Sequence, residues 1–313
     1  MSAWTFAVTD WSMYPAIPRA FGRHRVFLHL FAGRRRRGDL QFYLDNMPPP
    51  SAYVLHVVSV DIVIDPVWGD ATATQTRTYW LRMAQEGFIA GFIAGPPCET
   101  WSRARGKQVA GQQKEQHAPR IVRTEEHLWG LPSLALKELV QVATGNELLT
   151  FTLLLASVMV QTGGLGIVEH PAEPEEEQAA AIWKLPFVQA LLAAPGVTRR
   201  RLAQGLFGAP SPKPTDLLVI NLPDLALELR QWMTRSALPK GKAIGLSQEG
   251  NWKTGFLKEY PPAFCGAMAT AIRKGLDSME MAAQASPSPE DLQRWTAMNL
   301  ATYSRHLGTD FAK

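Results

Sequence analysis

The sequence predicts an α/β protein with a mostly parallel sheet covered by helices on both faces. Short runs rich in β-branched and aromatic residues recur along the chain, and segments of helical character separate them. The residues with chemical potential, Gly33, Asp61, Cys98 and Glu169, fall at or just beyond the ends of those runs, where such sheets bind ligands. With 313 residues, 46% of them apolar, the chain has material for one large domain with appendages.

The first 24 residues, with Pro15 and Pro18 among scattered aromatics, have no clean period and read as an irregular lead-in. Order begins with Arg25-Val26-Phe27-Leu28-His29-Leu30-Phe31, a buried strand stopped by Ala32-Gly33, and a short helix follows over Asp39 to Leu44. Pro48-Pro49-Pro50 forces a loop, and Val54 to Val60 is a second strand that runs directly into Asp61. A helix over Thr76 to Gln85 leads to a third strand, Phe88 to Ala94. Ser133 to Gln161 reads as one long helix or two, broken near Gly145 and ended by Gly163-Gly164. Leu165 to Glu169 is a fourth strand.

Beyond Pro171 come an acidic loop, Glu173 to Glu177, a helical stretch to Ala194, a strand over Arg199 to Leu206 and a turn over Pro210 to Pro214. Thr215 to Lys258 is less periodic. A helix starts after Pro261-Pro262. Ser288-Pro289-Glu290-Asp291, a capping box with proline at the first helical position, opens a C-terminal helical extension over 285–313.

Cysteine usage excludes a disulfide framework, because Cys98 and Cys265 are the chain's 2 cysteines and lie far apart. The longest apolar stretch, Leu148 to Val160, is too short to cross a bilayer, and no basic start followed by an apolar run marks a signal peptide. A soluble, intracellular protein with no structural metal is the expectation. Net charge is only +4, but arginines cluster at Arg34 to Arg37 and at Arg199 to Arg201. Such blocks suit a polyanion and equally suit a solvated basic face; two of them beside candidate site motifs tilt the reading to nucleic acid.

Cys98 is the sharpest candidate. Two prolines fix the backbone just after a strand and aim the thiol into the cleft, where cations such as Arg103 and Arg105 would favour the thiolate. An isolated Pro-Pro-Cys is more often a small buried cysteine in a turn. The motif here is longer, Gly95-Pro96-Pro97-Cys98-Glu99-Thr100-Trp101-Ser102, and it resembles the Gly-Pro-Pro-Cys-Gln-x-Phe-Ser-like motif of the carbon-5 cytosine-specific DNA methyltransferases, with Glu99 in place of glutamine.

Other pieces follow in that family's order from Val26 to about Ile272. Phe31-Ala32-Gly33 resembles the loop that approaches S-adenosylmethionine, although Arg34 to Arg37 intervene before Gly38. Asp61 matches the acidic residue that accepts from ribose hydroxyls, and Asp70 the one near the adenine; a lone strand-end aspartate otherwise forms a turn. Glu169-His170-Pro171 stands where the family has Glu-Asn-Val, so Glu169 would hold the cytosine ring, while His170 departs from the pattern. Phe207 to Thr215 resembles the later Tyr-Gly-x-Pro segment, with Lys213 where the family has arginines. Glu259-Tyr260-Pro261-Pro262 resembles the final motif, ahead of an apolar helix in which Cys265 would be core.

The resemblance implies a methyltransferase (Rossmann-like) fold over residues 25–275, with a reduced target-recognition segment at 216–258. It implies S-adenosylmethionine as cofactor, held by Phe31, Ala32, Gly33, Asp61, Asp70 and Pro96, and catalysis by Cys98, Glu169 and Lys213. DNA would meet Ser102, Arg103, Arg105, Arg199, Arg200 and Arg201. So short a recognition segment implies weak sequence specificity or a protein partner that supplies it. RNA as the substrate, and a nucleic-acid-binding module without catalysis, remain open alternatives at this point.

Overall fold

The computed structural model describes residues 24–102, 105–106, 119–176, 178–241, 257–279 and 289–290. The lead-in, most of the C-terminal extension, Arg103, Glu177 and residues 242–256 of the expected recognition segment lie outside the described residues.

Within them the chain forms an α/β fold around a mixed six-stranded sheet of order β2-β1-β3-β4-β6-β5, compatible with a Rossmann-like arrangement. The strands are β1 (His24–Leu30), β2 (Val54–Val60), β3 (Ile89–Ala94), β4 (Leu165–Pro171), β5 (Val197–Ala203) and β6 (Pro214–Ile220). Neighbours from β2 through β4 pair in parallel; β6 runs antiparallel to both β4 and β5, so it alone is reversed. The chain leaves β1 toward one side to form β2 and returns to the other side to form β3. That reversal of winding opens a crevice at the carboxyl ends of β1 and β3.

Strand residues alternate between the two faces, as a period of two requires. Val26, Leu28, Leu30, Phe92, Ala94 and Val168 pack on one side with α2 (Thr74–Gln85), α3 (Leu136–Thr162) and α4 (Pro186–Leu192). Phe27, Val57, Ile93, Ile167, Leu217 and Val219 pack on the other with α1 (Leu40–Asn46), α5 (Leu225–Trp232) and α6 (Pro262–Ser278). Helices therefore cover both faces, as the sequence predicts. Cys265 is in the second of these cores, 1% exposed.

Three expectations need correction. The long helix is unbroken at Gly145, because that glycine is buried within α3 where Thr100 and Arg123 pack against it: a Cβ would lie 3.3 Å from Thr100 Oγ1 and 3.5 Å from Arg123 Nη2. The stretch after Thr215 is not irregular throughout, since it contains most of β6 and all of α5. The strand expected over Arg199 to Leu206 begins at Val197, ends at Ala203 and gives way to a 3-10 turn over Gln204–Phe207. In addition, α3 as a whole is long and apolar enough to span a bilayer, yet 67% of its apolar window is buried inside the fold, which makes it a core helix.

Candidate active site

The reversal of β6 assembles the site. Because β6 runs backwards between β4 and β5, its first residues pair with the last residues of both: Thr215 with Pro171 and Pro214 with Ala203. Lys213 therefore arrives at the same sheet edge as the carboxyl ends of β3 and β4, which carry Cys98 and Glu169. Lys213 has φ of 40°, a left-handed conformation that costs a non-glycine residue on the order of 1–3 kcal/mol and that concentrates at functional sites.

Glu169 lies inside β4, buried, with a donor on each carboxylate oxygen. Gln204 Nε2 donates to Oε1 at 2.9 Å, the Tyr260 hydroxyl donates to Oε2 at 3.4 Å, and Lys213 Nζ stands 4.0 Å from Oε1. Tyr260 also lies beneath the Lys213 ammonium, 5.5 Å from ring centroid to Nζ. Gly95 is required by this packing: a Cβ there would be driven into the Tyr260 hydroxyl and would come within 3.2 Å of Glu169 Oε2. The glycine thus lets the Pro96-Pro97-Cys98 turn close over the carboxylate.

Cys98 is partly exposed at the end of that turn. Burial pushes its thiol up to about 12, Glu169 and Glu99 push in the same direction, and Lys213 pulls it down. Among the described cations, Lys213 pulls the thiol down, and Lys258 also feels its charge. Arg105, which the sequence suggested for this role, instead donates through Nε to the Arg120 carbonyl at 2.9 Å. Glu99 in turn accepts from Lys258 at 2.8 Å. Ser102, at the end of the motif that carries Cys98, is half-buried.

On the crevice side, Phe31 has φ of 57° and Gly33 φ of 67°. Gly33 N–H donates to Asp61 Oδ2 at 2.8 Å, and Val63 N–H to Asp61 Oδ1 at 2.9 Å, so Asp61 ties the ends of β1 and β2 together. The space over Gly33 is open, with nothing within 4 Å of a built Cβ. A carboxylate has about four acceptor sites, and these two bonds occupy two of them on Asp61. Phe31, Ala32, Gly33 and Asp61 follow β1 and β2, and Pro96 follows the neighbouring β3, so these residues could hold a hydroxyl-bearing ligand such as a nucleoside. Asp70 acts as a turn former: its Oδ1 accepts from Thr72 N–H at 2.9 Å and from the Thr72 hydroxyl at 2.6 Å.

The arginine blocks are largely committed within the protein. Arg35 bonds Asp39, and Arg36 donates to the Tyr260 carbonyl at 2.7 Å, which draws the turn before α6 against the loop after β1. Arg199 and Arg201 both pair with Asp216, which is fully buried; Arg199 Nε approaches its Oδ2 at 3.1 Å and Arg201 Nε its Oδ1 at 2.9 Å. Arg199 also bonds Glu173 and stacks over Trp183. Arg34, Arg37 and Arg200 are exposed. His170 lies within β4, buried edge-on against Trp101, and its pKa is lowered to about 3 by burial and then by Arg123. It is part of the core, not a strand cap.

Sequence reasoning missed Gln204 and the role of Tyr260. Tyr260 could have been found in the segment already singled out, two residues before Pro262; nothing in the sequence distinguishes Gln204 from any other turn glutamine.

No protein-family model matches the chain, and no curated protein matches it. Fold and site together define an α/β protein with a mixed six-stranded sheet, compatible with a Rossmann-like fold, that gathers a thiol, a carboxylate and an ammonium beyond the carboxyl ends of its strands.

Proposed function

We propose that this protein transfers a methyl group from S-adenosylmethionine to carbon 5 of cytosine in DNA through a covalent Cys98 adduct. The observation that carries the reading is the convergence of Cys98, Glu169 and Lys213, from three separate segments, onto one sheet edge, where both charged residues act on the thiol. The resemblance of their motifs, in order along the chain, supports the same three residues.

The chemistry follows from the residue types. A cytosine extruded from the stack would present its amino edge to Glu169 and carbon 6 to Cys98. The thiol gives up its proton to ring nitrogen 3, Sγ bonds carbon 6, and the 5,6 double bond shifts its electron density so that carbon 5 becomes nucleophilic. S-adenosylmethionine supplies an electrophilic methyl group for that carbon. Transfer of the carbon-5 proton to water then re-forms the 5,6 double bond and expels the Cys98 sulfur, which takes back the proton from ring nitrogen 3. Lys213 stabilises the thiolate as it forms, and Glu169 accepts from ring nitrogen 3 once that atom is protonated.

A second reading, a nucleic-acid-binding module of this fold without catalysis, is favoured by the thiol itself. A Cys98 pushed up to about 12 is almost wholly protonated near neutrality. The test is trapping on duplex DNA carrying 5-fluorocytosine in varied contexts, with S-adenosylmethionine present, because fluorine at carbon 5 blocks release. The expected result is a denaturation-resistant adduct that disappears in Cys98→Ala while the melting temperature is kept. If no adduct forms and S-adenosylmethionine leaves the melting temperature unmoved, the non-catalytic reading replaces this one. An adduct on fluorinated RNA alone would move the substrate from DNA to RNA.

A further inference from the structure

The carboxylate at the centre of the site is oriented by groups that the methyl-transfer chemistry does not itself use. Gln204 is fully buried, and its Nε2 donates both to Glu169 Oε1 at 2.9 Å and to Thr215 Oγ1 at 3.1 Å. Thr215 directs its own proton to the Lys213 carbonyl at 3.1 Å, so its oxygen faces Gln204 as an acceptor. The amide can therefore sit only one way round, since turning it would set Oε1 against two acceptors. Its Oε1 is left buried with no hydrogen-bond partner among the described residues, a cost that packing alone gives no reason to retain. On the other side of Glu169, Tyr260 is partly buried and its phenol is held well above its ordinary range, by burial first and then by the Glu169 charge, so it remains a donor.

We propose that Gln204 and Tyr260 are positioning residues that lock Glu169 as a hydrogen-bond acceptor, and that this lock makes the site choose a pyrimidine with an amino group at carbon 4 over one with a carbonyl there. The inference rests on the methyltransferase reading. An ionised carboxylate with donors already on both oxygens can only accept. Uracil or thymine offers it one donor, N3–H, and opposes it with the carbonyl at carbon 4, whereas cytosine protonated at nitrogen 3 offers two donors, N3–H and the exocyclic amine. Ring nitrogen 3 of cytosine joins the pairing once it carries the proton given up by Cys98: the S–H bond breaks, an N–H bond forms, and no net charge is created. Lys213 and Cys98 are the other titratable groups facing the carboxylate, and neither supplies a fixed donor at hydrogen-bond distance.

The experiment compares adduct formation by the full chain, by Gln204→Leu and by Tyr260→Phe on duplexes carrying either 5-fluorocytosine or 5-fluorouracil, with duplex affinity and melting temperature measured alongside. The native protein is expected to prefer the fluorocytosine duplex by at least about a hundredfold. Gln204→Leu should slow that adduct on the order of ten- to a hundredfold and shrink the preference to about tenfold or less, with affinity and melting temperature nearly unchanged. Tyr260→Phe should move both in the same direction by less, because its bond is the longer one, and it carries the test alone if the leucine variant does not fold. Variants that keep the native preference overturn the inference alone, as does a loss of rate that only tracks a loss of melting temperature. A native protein that traps neither base overturns the methyltransferase reading and this inference with it.

Discussion

Replacing Glu169 by glutamine should make Cys98 more reactive toward a simple alkylating agent while it abolishes transfer to cytosine. The thiol is pushed up to about 12 by burial, then by Glu169 and Glu99, against the opposing pull of Lys213 and of a backbone hydrogen bond. At pH 8 its thiolate fraction is then roughly one in ten thousand. Glu169→Gln keeps the shape and the Gln204 contact but removes one like charge, worth about one pKa unit or more at this range. Each unit raises the thiolate population about tenfold, and the weaker nucleophilicity of a more acidic thiol takes back about threefold, for a net gain of about threefold per unit. The assay is the rate of iodoacetamide labelling at pH 8, read by mass spectrometry on the Cys98 peptide; Cys265, buried in α6, serves as the internal reference. Lys213→Met should change the rate in the opposite direction. An Glu169→Gln protein that labels no faster than the native one, or a Lys213→Met protein that labels no slower, would refute the claim that these two residues govern the thiol.

Two further outcomes follow from the packing and from the buried histidines. Gly95→Ala drives a methyl group into the partly buried Tyr260 hydroxyl, so the Pro-Pro-Cys turn must shift; we expect a loss of about 1–3 kcal/mol in thermal or urea unfolding and at least a hundredfold loss of adduct formation on fluorocytosine DNA. His29 and His170 are lowered to about 4 and about 3 by burial. Their folded values are depressed below the unfolded one, so the unfolded chain binds more protons between them, and stability is lost as pH falls from about 6.5 toward those values. Urea unfolding should show about 4 kcal/mol lost between pH 7 and pH 5, with His170→Gln reducing the loss by about 2 kcal/mol; an equal loss in the variant would count against burial of neutral His170.

The elements most legible in the sequence are those whose identity is local. β1 and β2 are runs of β-branched and aromatic residues bounded by glycine, proline and aspartate, and their observed bounds fall within one residue of those expected. Asp39 caps α1 as its position before the apolar run suggests, accepting from Phe42 N–H at 2.7 Å. β6 was not legible because it opens at a proline in a Pro-rich turn and contributes only the short apolar run Leu217 to Ile220, which no period distinguishes from a loop. The unbroken course of α3 past Gly145 was hidden for a different reason: the helix tolerates glycine there because Arg123, stacked at 4.2 Å on Trp101 and bonded to Thr100, packs against that point.

The candidate site divides in the same way. Cys98, Glu169, Asp61 and Gly33 could be named from sequence because strand ends and the residues that follow them are local features. The charges on those residues could not. The Arg34 to Arg37 and Arg199 to Arg201 blocks look available for a polyanion, but Asp39, Asp216, Glu173 and Glu259 engage four of the seven arginines through contacts that close only when distant segments meet. By itself the sequence determined the α/β class, the strand-end positions of the candidate residues and their order. Only the tertiary structure decided that β6 runs backwards, which brings Lys213 rather than Arg105 to the thiol and places Gln204 and Tyr260 on the carboxylate, because strand direction and side-chain partnership arise from packing between segments far apart in the chain.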